Sequence, residues 1–123
     1  MISRILGALL MILLLANGGF ASDAISQHGG RVADAGEYHV ELVAKADTVD
    51  VYLADHDNKA VRSAAGYKGL AILIVDGKSQ RIVLAPAGES RLSGKATAAL
   101  PSAPKGVVQI TPPNGKTVQA RFN

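Results

Sequence analysis

The sequence contains no cysteine and no tryptophan, and its only two methionines are Met1 and Met11. Without cysteine there is no disulfide, no iron–sulfur cluster, no thiol chemistry and no thiolate zinc site. A lipoprotein is excluded as well, because its acyl anchor needs a cysteine. Aromatic residues make up 4% of the chain, two Phe and three Tyr, which leaves no stacking platform for nucleic-acid bases. Charge of one sign is scarce too. Thirteen basic residues stand against ten acidic ones, and a net +3 falls short of a nucleic-acid footprint, so no nucleic-acid partner is expected.

Long apolar runs are also missing, with one exception. Ile5 to Ala16 is a stretch of apolar residues interrupted only by Gly7; Arg4 precedes it, and the small, turn-prone Asn17-Gly18-Gly19-Phe20-Ala21-Ser22 follows it. This is the order of a secretory signal peptide. The run is shorter than the roughly 20 residues that a membrane-spanning helix requires, so no span is expected in the mature protein. Residues 1–24 are read as the signal peptide, with cleavage after Ala21 or Ala24. The mature chain then lacks sulfur altogether, and its length suits one domain.

What remains reads as strands. In Tyr38-His39-Val40-Glu41-Leu42 the residues Tyr38, Val40 and Leu42 share one face, while Glu37, His39 and Glu41 share the other. Val49, Val51 and Leu53 alternate in the same way. Leu70–Val75 is apolar on both faces and reads as a central strand, turned by Asp76-Gly77 into Arg81–Ala85. Shorter strands are expected over Lys59–Ser63, Arg91–Lys95, Val107–Thr111 and Thr117–Phe122, the last announced by a tight Asn114-Gly115 turn. Lys95–Ser102 fits either a short helical turn or a loop. These seven or eight strands, with turns between them, predict an all-β, antiparallel immunoglobulin-like β-sandwich over residues 37–123, preceded by a flexible arm over 25–36. Its expected core is Tyr38, Val40, Leu42, Val51, Leu53, Ile72, Ile74, Ile82, Leu84, Val118 and Phe122.

Chemistry falls to the histidines. If the first two strands form a hairpin, the hydrophobic pattern sets Leu42 opposite Val51 and Val40 opposite Leu53. The same register places Glu37 opposite His56, His39 opposite Ala54, and Glu41 opposite Tyr52 on the wet side. His39 and His56 then become diagonal neighbours with Glu37 between them. Two imidazoles and a carboxylate suit Zn(II) or Cu(II), with Asp55, Asp57 or His28 on its arm completing the set. Such a site weakens as its imidazoles protonate. Exposed histidines beside acidic residues are also common without any ligand, and the spacing leaves both readings open.

Other constellations are poorer. Asp47, Asp50, Asp55 and Asp57 lack the spacing of a calcium loop. No Gly-x-Ser-x-Gly elbow is present, and Gly66-Tyr67-Lys68-Gly69 is too short for a phosphate loop. No enzyme is expected.

His28-Gly29-Gly30, Gly36-Glu37-Tyr38-His39-Val40-Glu41-Leu42-Val43 and Val51-Tyr52-Leu53-Ala54-Asp55-His56 together resemble bacterial periplasmic proteins of heavy-metal efflux. These include small stand-alone proteins and a segment of the adaptor subunits of resistance–nodulation–division exporters. The similarity continues through Gly66–Ala71, Val83–Gly88 and Arg91–Gly94. The resemblance implies a periplasmic β-sandwich near metal export, with His28, His39 and His56 as candidate ligands and efflux components as possible partners. The chain has none of the coiled-coil, lipoyl-like or barrel domains of an adaptor, so the resemblance implies an accessory. A non-catalytic interaction module of the cell envelope, with no metal site, is the alternative expectation.

Overall fold

Period-two alternation, broken by turn residues, produces eight strands. They are β1 (Arg31–Ala35), β2 (Tyr38–Lys45), β3 (Thr48–Asp55), β4 (Lys68–Val75), β5 (Lys78–Pro86), β6 (Arg91–Lys95), β7 (Lys105–Thr111) and β8 (Val118–Phe122). The computed structural model describes residues 26–123. The expected signal peptide lies outside them. Every pairing is antiparallel, in the order β1-β2-β3-β6-β5-β4-β7-β8, and no helix is present among the described residues.

The sheet is nearly closed. Its end strands meet where the Arg31 guanidinium on β1 donates to the carbonyl oxygens of Pro104 and Asn123 and lies 5.8 Å from the centre of the Phe122 ring. Val40, Leu42, Val49, Val51, Leu53 and Leu92 fill the interior from β2, β3 and β6, and Leu73, Ile82, Leu84, Val108, Ile110, Ala120 and Phe122 from β4, β5, β7 and β8. An edge strand exposes unpaired backbone groups to passing chains, and the Arg31 contacts hold the two edges, β1 and β8, close to each other.

The β2–β3 hairpin has the expected register, with Val40 opposite Leu53, Leu42 opposite Val51, His39 opposite Ala54 and Glu41 opposite Tyr52. Asp76 and Gly77 both adopt positive φ, 52° and 78°, as a two-residue turn between antiparallel strands requires.

Four expectations are corrected. The arm over 25–36 contains β1, which pairs with β2 from Arg31–Leu42 to Ala35–Tyr38, so the ordered domain begins before Glu37. Lys59–Ser63 forms no strand, only a single bridge between Ala54 and Ala60. In β4 the residues Ala71, Leu73 and Val75 point inward, while Ile74 is exposed and Ile72 half-buried. Strand β4 is central, as expected, but a wholly apolar strand carries no alternation to fix which face turns in. At Asn114-Gly115 only Gly115 has positive φ, and its N–H closes the turn on the Pro112 carbonyl at 2.9 Å. Of Lys95–Ser102, Lys95 ends β6 and the rest is a loop, tied down by Ala96 N–H to Asp47 O and Leu100 N–H to Ala46 O.

Candidate functional site: a buried carboxylate and two histidines

Glu41 sits in the middle of β2 on the outer face of the sheet, where alternation alone leaves it wet. It is buried instead. Residues 26–30 fold back over it, and five hydrogen bonds converge on its two oxygens. Oε1 accepts from Gln27 N–H at 3.1 Å and from the His28 ring at 3.0 Å; Oε2 accepts from Ser26 Oγ at 2.9 Å, His28 N–H at 2.9 Å and Gly30 N–H at 2.8 Å.

The local sequence explains the wrap. Gly29 takes a φ of +78°, and a Cβ on Gly30 would collide with the Leu42 carbonyl, so the two glycines let the backbone press onto β2 with its N–H groups turned inward. The imidazole of His28 then stacks on Tyr52 of β3, with ring centres 3.6 Å apart and planes within 6°. Burial pushes the Glu41 carboxyl up. The His28 ring, with the N–H groups of Gly30, Gln27 and His28, outweighs that and holds it at about 2. Because the ionised carboxylate can only accept, His28 Nδ1 carries the proton of their bond, and in the neutral ring Nε2 keeps its lone pair.

His39 lies two residues along β2 on the same face, with only 12% of its side chain exposed. Its Nδ1 is buried without a hydrogen-bond partner. The nearest carboxylate oxygen, Asp34 Oδ1 on the paired position of β1, is 3.6 Å away, too far for a hydrogen bond. His28, His39, Glu41 and Tyr52 line one pocket of about 40 Å³ together with Gln27, Asn58 and Ser90. That volume holds a water molecule or an ion, not an organic substrate.

The other predicted residues lie elsewhere. Glu37 occupies the β1–β2 turn and His56 the turn after β3, and both line a second, open pocket beside Tyr38 and Lys116. Strand β3 stops at Asp55 because that side chain accepts from the backbone N–H groups of Asp57 at 2.9 Å and Lys59 at 3.0 Å, which turns the chain at His56. The Lys59 N–H is the main reason the Asp55 carboxyl is held below its ordinary value. His56 is left 68% exposed, its nearest acidic neighbour being Asp57 at 3.8 Å. The structure therefore brings His28 and His39 to one pocket, and Glu37 and His56 to another. Among the described residues, no three His, Cys, Asp or Glu side chains gather where one ion would reach them all.

Glu41 and Tyr52 are the residues that sequence reasoning placed correctly in register but gave no part in a site. The signal available was the pair of glycines after His28, which allow a close backbone approach. Near the second pocket the Tyr67 hydroxyl donates to Tyr38 across 3.5 Å, and burial followed by that contact pushes its phenol up to about 12. No family model, curated protein or solved structure matches the chain.

Proposed function

We propose that this chain is a non-catalytic accessory protein of the bacterial periplasm that binds a divalent transition metal, Zn(II) or Cu(II), at the pocket shared by His28 and His39. It would buffer the ion or pass it to an efflux system. The observation that carries this reading is the pairing of two imidazoles in one small pocket, where His28 is steered by a carboxylate and His39 has a buried Nδ1 that no hydrogen bond satisfies. Metal-binding histidines commonly donate their second nitrogen to a carboxylate in this way.

Glu41 itself is not proposed as a ligand, because both its oxygens are already spent on donors. Two imidazoles leave the remaining positions to water or to an incoming donor. This suits a cargo that must leave more than an ion that holds the fold together. A sulfur-free donor set favours Zn(II) and Cu(II) over Cu(I). The resemblance carried by His28-Gly29-Gly30 and Tyr38–Leu42 supports the compartment and the link to efflux. In the same reading residues 1–24 are a signal peptide removed on export. The nearly closed sheet is taken as two four-stranded layers, β1-β2-β3-β6 and β5-β4-β7-β8, of an immunoglobulin-like sandwich.

Calorimetric titration with zinc and with copper tests the proposal. The expected result is one saturable site that His39→Ala abolishes and His56→Ala leaves intact. No saturable uptake, or uptake indifferent to His39→Ala, overturns it.

The second reading, an interaction module that meets an envelope component through a sheet face, is favoured by one observation. Among the described residues no segment covers the outer face of β4, β5, β7 and β8, and Val83 there is 76% exposed.

A further inference from the structure

Charge is segregated along this chain. Residues 26–57 hold seven acidic and two basic side chains, whereas residues 58–123 hold two acidic and ten basic. The register shows where the second group leads. Across β5, β4, β7 and β8, one outward row reads Arg81, Ile72, Val107, Arg121, with each residue paired to the next. On one side of it lies the row Val83, Leu70, Gln109, Gln119, and on the other Ser79, Ile74, Lys105. Lys68 extends the face along β4.

No acidic side chain occupies an outward position on these four strands. The ion pairs among the described residues involve none of Lys68, Arg81, Lys105 and Arg121. Five aliphatic side chains thus lie within a frame of four cations without a paired carboxylate, and two of the five, Ile74 and Val83, are openly exposed.

We infer that this face docks on the surface of an anionic phospholipid bilayer, the aliphatic side chains entering the headgroup boundary and the four cations meeting lipid phosphates. The inference names a partner for the interaction-module reading and is independent of metal binding. Aliphatic side chains flanked by Lys and Arg are the composition that binds bilayer surfaces. Protein interfaces concentrate Tyr, Trp, Phe, Met and Arg and deplete Lys; this face has two arginines but no aromatic or Met, and it carries two lysines.

A second copy of the chain is a poorer occupant, because only Asp34, Glu37 and Asp57 of its acidic half are exposed without a Lys or Arg partner, three carboxylates spread over β1, the β1–β2 turn and the turn after β3 against four cations. Glu41 is enclosed, Asp50 lies 3.6 Å from Arg91, Asp47 lies 3.7 Å from Lys95, and Asp55 is taken up by its own turn.

The test is co-sedimentation of the purified full chain with vesicles of phosphatidylcholine alone and of phosphatidylcholine mixed with phosphatidylglycerol, with a chelator present so that metal has no part in the outcome. Variants of the same length keep any contribution of residues 5–16 common to all samples. The expected result is partitioning at least about tenfold stronger onto the anionic vesicles, weakened by salt, and lost in the double variant Arg81→Glu with Arg121→Glu. Lys45→Glu with Lys59→Glu, the same charge change off this face, should leave it nearly intact. Val83→Ser should weaken it without altering the fold. Equal binding to both vesicle types, equal loss in the two double variants, or capture of an acidic peptide by a face that ignores anionic vesicles would each overturn the inference.

Discussion

The two outer faces of this sheet are built from similar strands and end in opposite conditions. Over β2 and β3 the chain covers itself, with residues 26–30 clamped to Glu41 and His28 laid flat on Tyr52. Over β4 and β5 none of the described residues covers Ile74 or Val83. The difference is not hydrophobicity, since the uncovered face is the more apolar of the two. One buried carboxylate provides a point on which five donors converge, and the other face offers a following segment no such anchor. A covering segment is held by satisfied polar groups more than by apolar contact, because unpaired donors under a lid would cost more than the lid's burial returns.

Changes to the covered face should carry the largest effects. Glu41→Gln keeps the shape but turns an amide N–H₂ toward backbone donors, and should lower unfolding stability at neutral pH by roughly 2–4 kcal/mol, read by urea denaturation. The pH dependence follows from the same group. Its carboxyl is at about 2 in the folded chain against an ordinary 4.5. The unfolded state therefore binds the proton first as pH falls, and roughly 3 kcal/mol of stability present above pH 4.5 drains away toward pH 2. In Glu41→Gln that part of the acid dependence should be missing, and matching acid profiles for the two proteins would show that the carboxylate is not held as described.

Tyr52→Leu removes the stacking partner of His28 but not the carboxylate, and should cost about 1 kcal/mol by the same measurement. Smallest of all, Val83→Ser on the uncovered face should shift stability by less than about 0.5 kcal/mol. A larger loss there would mean that the face is packed after all, and the contrast between the two faces would fail.

Sequence patterning revealed the parts of this structure that alternate. Strand β2 alternates from Tyr38 to Leu42 and β3 from Thr48 to Val51, so the register of the hairpin, down to Glu41 opposite Tyr52, follows from the apolar stripe. Strand β4 has no such stripe, and its apolar outward residues belong to the uncovered face rather than to the core. Strand β1, Arg31-Val32-Ala33-Asp34-Ala35, is short and poor in strand-forming residues, and its pairing depends on β2 beside it and β8 beyond. That context is tertiary, and propensity does not report it.

The candidate site was divided in the same way. Alternation along β2 predicts His39 on its outer face, beside Glu41, and there it lies. His56 was expected to continue β3, but the Asp55 carboxylate ends the strand by collecting two backbone N–H groups, and the histidine follows the turn to the other pocket. His28 falls in a stretch rich in Gly, Ala, Asp and Ser, which by composition reads as a flexible arm. Its order comes from Glu41, thirteen residues away in sequence.

Amide hydrogen exchange of residues 26–30, followed by NMR at neutral pH, tests the clamp most directly. The N–H groups of Gln27, His28 and Gly30 should exchange far more slowly than free amides in the native chain and lose that protection together in Glu41→Gln. Exchange of all three at the free rate in the native chain, or protection that survives Glu41→Gln unchanged, would contradict the account that one carboxylate closes this face while its counterpart stays open.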